Sequence, residues 1–129
     1  MLKVVKIGGN VVDNLEKLDA FLRDFASLDG PKILVHGGGK IATSIGRALG
    51  IEARMIEGRR VTDAETLKVV TMVYAGLVNK TIVDKLRTAG CRAFGLCGAD
   101  GGLILSRRSI TVSSAIRCPT GSGSMRPAC

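Results

Sequence analysis

Residues 32–40 read Lys32-Ile33-Leu34-Val35-His36-Gly37-Gly38-Gly39-Lys40. A short apolar run stops at three consecutive glycines, and an amphipathic segment starts directly behind them. That is the pattern of a buried strand, a tight turn and a helix N-terminus. Three residues without a Cβ let the backbone turn sharply and bring its N–H groups within hydrogen-bonding reach of an anion. The rest of the composition suits α/β layering with Gly-rich turns: 46% apolar and 3% aromatic residues, with 17 glycines in a chain of 129.

Taken in order, residues 2–7 read as a first strand stopped by Gly8-Gly9-Asn10. Asp13 or Asn14 caps a helix running to Ser27, with Leu15, Leu18, Phe21, Leu22 and Phe25 at helical spacing. Asp29-Gly30-Pro31 is a turn; a second strand at 33–36 and a helix at 40–49 stopped by Gly50 follow. The two strands are expected to be parallel neighbours. Residues 52–61 look extended, as a strand or hairpin. Thr62 with Glu65 forms a capping box opening a long helix with apolar Leu67, Val70, Val73, Leu77, Val83 and Leu86, ended by Ala89-Gly90. Its length exceeds what one small core needs, so part of it is expected to pack on a second subunit. Residues 93–96 form a third core strand entering the turn Gly98-Ala99-Asp100-Gly101-Gly102, and 103–105 resume as a strand.

Charge and composition limit the function classes. The net charge is +8, but residues 1–105 hold 15 basic and 11 acidic side chains, a net of +4, and residues 106–129 hold four arginines and no acid. The main body is only mildly basic and too poor in aromatics to stack bases, so no nucleic-acid partner is expected. No apolar run approaches the roughly 18 residues of a membrane span, and the N-terminus lacks a signal-peptide profile, so no membrane association and a cytoplasmic location are expected. Cys91, Cys97, Cys118 and Cys129 show no metal-ligand pairing and read as thiols.

Three glycine turns follow apolar strands, at Gly8-Gly9, at 37–39 and at 98–102, and the ends of parallel strands share one sheet edge. These turns are therefore expected to line one crevice. Lys6 sits at that edge, and a lysine beside several backbone N–H donors is equipment for a phosphoryl group. A Walker loop ending at Gly39-Lys40 fails twice, at Leu34 and at Ile41. The dinucleotide pattern fits Gly37, Gly39 and Ala42, with Glu57 about twenty residues on. It remains open as an alternative, although it leaves Lys6-Ile7-Gly8-Gly9 unexplained. His36 reads as structural at its strand end, Arg59 as a surface charge, and Asp100 as a turn former.

The ordered set Lys6-Ile7-Gly8-Gly9, Val35-His36-Gly37-Gly38-Gly39, Gly58-Arg59-Arg60-Val61-Thr62 and Asn79-Lys80-Thr81 resembles the amino-acid kinase family over residues 2–105. The resemblance implies an open, mainly parallel sheet sandwiched between helices. It implies transfer of the γ-phosphoryl of ATP, with Mg2+, to the side-chain carboxylate of N-acetyl-L-glutamate in arginine biosynthesis, in a homodimer. Lys6 would be catalytic, neutralising the moving phosphoryl group, with N–H groups of Gly8, Gly9 and Gly38 as phosphate ligands. Gly38 and Gly39 would hold the substrate, and Arg60 would grip its α-carboxylate, a planar anion suited to a guanidinium fork. A carboxylate nucleophile is already ionised at neutral pH and needs no general base. Residues 1–105 are then the acylglutamate-binding part. Residues 106–129, with six serines and no acid, are expected to be a divergent, disordered tail. Codons for the family's Asp-Tyr-Gly-Phe-Val-Gly-Asp, read one base late, spell residues 110–116, so the tail is expected to be a frameshifted product. The family's C-terminal half carries most of the nucleotide site, so little kinase activity is expected of this chain. A non-enzymatic remnant that binds acylglutamate is the second alternative.

Overall fold

A computed structural model describes residues 1–56 and 59–105 of the chain. The expected tail at 106–129 and Glu57 and Gly58 lie outside these described residues.

Two short strands, β1 (Lys3–Lys6) and β2 (Lys32–Val35), pair in parallel with Val4 opposite Ile33 and Lys6 opposite Val35. The ladder continues past both ends: Ile7 donates to the carbonyl of Val35 at 2.9 Å, and Lys3 to that of Pro31 at 3.0 Å. Each strand runs straight into a helix N-terminus, β1 into the single turn α1 (Gly9–Val12) and β2 into α3 (Gly39–Ala48). The parallel pair and the α/β layering are as the sequence reads.

Between the strands runs α2 (Leu15–Ser27), which starts where the Asn14 side chain accepts a hydrogen bond from the N–H of Lys17 at 2.9 Å. Its inward stripe of Leu18, Leu22 and Phe25 is buried. Each such side chain contributes about 1.5–3 kcal/mol relative to leaving it in water. The Lys32 ammonium closes the other end of α2, donating to the carbonyls of Ala26 at 2.7 Å and Leu28 at 2.6 Å.

After α3, Gly50 takes φ +74° and reverses the chain. A hairpin of β3 (Met55–Ile56) and β4 (Arg59–Arg60) follows, antiparallel with Met55 opposite Arg60. The next helix starts one residue later than the capping box suggests. Asp63, not Thr62, is the cap, its carboxylate accepting from the N–H of Thr66 at 2.8 Å. From there α4 (Ala64–Val70), a π-helical stretch (Thr71–Val78) and α5 (Asn79–Thr88) form one continuous helix of 25 residues. An 18-residue stretch of this helix reaches a mean hydropathy of 1.2, so by length and composition alone the helix could cross a membrane. Here, however, it is the core helix: Val69, Val73, Val78, Ile82 and Leu86 along it are buried with Ile7, Val12 and Leu22.

Residues 93–96 and 103–105 are not strands. Neither segment joins a backbone ladder among the described residues; residues 93–96 lie beside α5, tied by the Asn79 and Lys80 side chains to the carbonyls of Leu96 (3.4 Å) and Gly95 (2.9 Å). Without a paired neighbour, an apolar run has no ladder to make it a strand. The sheet is thus covered by helices on the side of Val5, Ile7 and Leu34. Val4, Ile33 and Val35 on its opposite side are 63%, 47% and 45% exposed.

Candidate functional site

Because β1 and β2 are parallel and in register, the glycines that follow them fall at one sheet edge. Gly8-Gly9 and residues 37–39 line a common cleft of about 650 Å³ together with Lys6, Arg60, Thr43, Lys40, Asp13 and Tyr74. Lys6, at the end of β1, is exposed. The first free N–H groups of α1 and α3 come from these glycine turns, and backbone N–H groups there have no partner within their own helix. Two helix starts and a lysine ammonium therefore converge on one opening, which suits an anionic group.

Gly38 is buried because the long helix presses on it. A Cβ there would lie 3.2 Å from both Tyr74 Cδ1 and Val78 Cγ2, tighter than an ordinary contact. The absence of a side chain at Gly38 is what lets the Tyr74 ring and the turn share the wall of the cleft.

Arg60 reaches the cleft from the hairpin. Its Nη2 donates to the carbonyl of Gly39 at 3.0 Å and to Thr43 Oγ1 at 2.6 Å, and Thr43 Oγ1 donates in turn to the carbonyl of Gly39 at 2.8 Å. The side of the guanidinium facing α3 is thereby fixed. Lys6, Gly8, Gly9, Gly38, Gly39 and Arg60, expected from the sequence, are all brought to this cleft.

The third glycine turn is not. Among the described residues, none from 98–102 lines the cleft, which corrects the expectation of one crevice for all three turns. That turn is self-contained. The Asp100 carboxylate accepts from the N–H of Cys97 at 2.6 Å, and this bond, helped by the more distant Lys80 ammonium, holds its carboxyl below the usual range. Asp100 is thus a turn former, as expected. His36 is held at both ring nitrogens, Nδ1 against the carbonyl of Gly37 at 3.1 Å and Nε2 against Asn79 Nδ2 at 3.2 Å, consistent with a structural role.

The cleft contains residues that sequence reading did not single out. Lys40 and Thr43 lie on the first turn and a half of α3, a position readable from their spacing behind Gly39. The Asp13 carboxylate faces Lys40 Nζ at 3.9 Å, and its two oxygens have no hydrogen-bond partner among the described residues. Tyr74 arrives from the distant π-helical stretch, for which no local pattern gives a signal. No group of three or more His, Cys, Asp or Glu side chains that could hold a metal occurs among the described residues.

A model of the amino acid kinase family matches residues 1–120. Over 107 residues the chain is 62% identical to the acetylglutamate kinase of Cytophaga hutchinsonii, covering 83% of this chain and 40% of that protein. It is 55% identical to the acetylglutamate kinase of Bacteroides fragilis, covering 83% of this chain and 41% of that one. The crystal structure of smu.665 from Streptococcus mutans superposes with a TM-score of 0.52 at 28% identity, over 69% of this chain and 37% of that one. The chain spans about two fifths of the length of the curated relatives it matches. Because the family model spans residues 1–120 of the 129, the chain belongs to the amino acid kinase family.

Proposed function

We propose that this chain is the acylglutamate-binding part of an acetylglutamate kinase, an enzyme that moves the γ-phosphoryl of ATP to the side-chain carboxylate of N-acetyl-L-glutamate in cytoplasmic arginine biosynthesis. The observation that carries this reading is the meeting of Lys6, the glycines at 8–9 and 37–39 and Arg60 in one cleft. The 62% identity to an acetylglutamate kinase supports the choice of acceptor.

In this reading the α-carboxylate of the substrate sits on the Arg60 guanidinium, whose charge-assisted bonds are about twice as strong as neutral ones. The γ-carboxylate then points along the glycine turns toward Lys6. As the nucleophile attacks, negative charge spreads over the phosphoryl oxygens, and the Lys6 ammonium and the N–H groups of Gly8, Gly9 and Gly38 stabilise it. No side chain need remove a proton, since the carboxylate is ionised at neutral pH. Mg2+, when bound with ATP, would supply further charge neutralisation at the phosphates. The exposed Leu67, Met72 and Leu77 on the long helix, each 52–54% accessible, support a homodimer through that face.

Calorimetry with N-acetyl-L-glutamate and with ATP tests the reading. The expected result is acetylglutamate binding that falls on the order of a hundredfold in Arg60→Ala, with weak ATP binding and little ADP release in a coupled assay. Binding of NAD without acetylglutamate would favour the dinucleotide alternative instead. The frameshift reading of the tail is tested by resequencing the locus, and an in-frame gene encoding residues 106–129 as they stand would refute it.

A further inference from the structure

Thr43 lies within α3, where a threonine hydroxyl commonly donates to the carbonyl four residues back. It does so here, with Oγ1 2.8 Å from the Gly39 carbonyl oxygen. A hydroxyl has one hydrogen, so this bond leaves Oγ1 only its lone pairs. Arginine has donors alone, and Arg60 Nη2 meets those lone pairs at 2.6 Å while also donating to the Gly39 carbonyl at 3.0 Å. Both hydrogens of Nη2 are thereby spent on α3. Nε and Nη1 have no hydrogen-bond partner among the described residues, and the side chain lines the cleft.

We infer that Thr43 is the positioning residue of the site: it orients the Arg60 guanidinium before substrate arrives, so that the remaining N–H donors on Nε and Nη1 are held in fixed directions and one of them meets the substrate's α-carboxylate. Resting on the function proposed above, this assigns Thr43 no contact with substrate. Its contribution is to remove rotamer freedom that Arg60 would otherwise lose on binding. The polarity of the chain of bonds makes the requirement specific. Serine can reproduce it, whereas valine, equal in shape, offers no acceptor.

Two measurements on the full 129-residue chain separate this inference from the function it rests on. The first is the 15N–1H signal of the Arg60 Nε–H in the ligand-free protein, assigned through Arg60→Lys. A motionally restrained signal, read from its 15N–1H heteronuclear NOE, is expected in the wild type and in Thr43→Ser, and loss of that restraint is expected in Thr43→Val. The second is calorimetric affinity for N-acetyl-L-glutamate, expected to fall on the order of tenfold in Thr43→Val and to stay within about threefold in Thr43→Ser. Wild-type affinity and an unchanged Arg60 signal in Thr43→Val would overturn the inference. If the wild type fails to bind acetylglutamate, the proposed function falls, and the ligand-free Arg60 signal still decides the role of Thr43. Thr43→Ala supplies the same reading should valine unfold α3.

Discussion

A methyl group on Gly95 would place its carbon 1.9 Å from Asn79 Oδ1 and 2.8 Å from Val83 Cγ2. Neither neighbour is idle: Asn79 is buried and holds His36 Nε2, so the overlap is transmitted to the turn that ends β2. Gly95→Ala is expected to destabilise the chain by about 2–3 kcal/mol in urea unfolding and to perturb the His36 ring signals. Gly38→Ala differs, because its Cβ would meet Tyr74 and Val78 at 3.2 Å, where each neighbour has to give by only a few tenths of an ångström. That variant should unfold within about 1.5 kcal/mol of wild type while losing most of its affinity for acetylglutamate, since the methyl narrows the substrate's own wall. At this scale the sequence is most readable where a residue type has few uses. Glycines behind a strand, a lysine at a strand end and an arginine beside them were all identifiable. Asp13 and Thr43 were not, because a threonine or aspartate on a helix has many ordinary roles and only the partner across the cleft selects one.

The helices show where local pattern suffices. α2 obeys its apolar spacing and its Asn14 cap, and its most deeply buried side chain is Leu22, at 2% exposure. Leu22→Ala should cost about 3 kcal/mol by urea or thermal unfolding. At the start of α4 the capping box pointed to Thr62, but Asp63 adjoins it and a carboxylate is the stronger acceptor. The N–H of Thr66 lowers the Asp63 carboxyl below its usual value. A carboxyl depressed in the folded state adds stability above its unfolded value near 4 and loses it as pH falls through the folded one. Thermal stability should therefore decline below about pH 4, and Asp63→Ala should lower the melting temperature at pH 7 while flattening that decline. The third strand failed for a reason no window reveals: β pairing is a property of two segments, and residues 93–96 have no described partner. The π-helical stretch is likewise invisible, since its apolar residues fit either helical period.

At the scale of the whole molecule, the α/β class and the parallel pair follow from β1, β2 and the glycines behind them. The exposure of Val4, Ile33 and Val35 among the described residues does not, because it depends on what else packs there. An apolar sheet face beside unpaired strand edges favours self-association. Ile33→Thr combined with Val4→Thr should reduce dye binding to exposed apolar surface and light scattering at high concentration, leaving acetylglutamate affinity within about twofold, since neither residue lines the cleft. Increased scattering would argue that this face is already covered. The chain contains one tyrosine and no tryptophan, and that tyrosine lines the cleft. Ultraviolet-excited emission from the unmodified chain is therefore a reporter native to the site, without a background from elsewhere in the molecule. A ligand that settles on the glycine turn writes its occupancy directly into that single fluorophore.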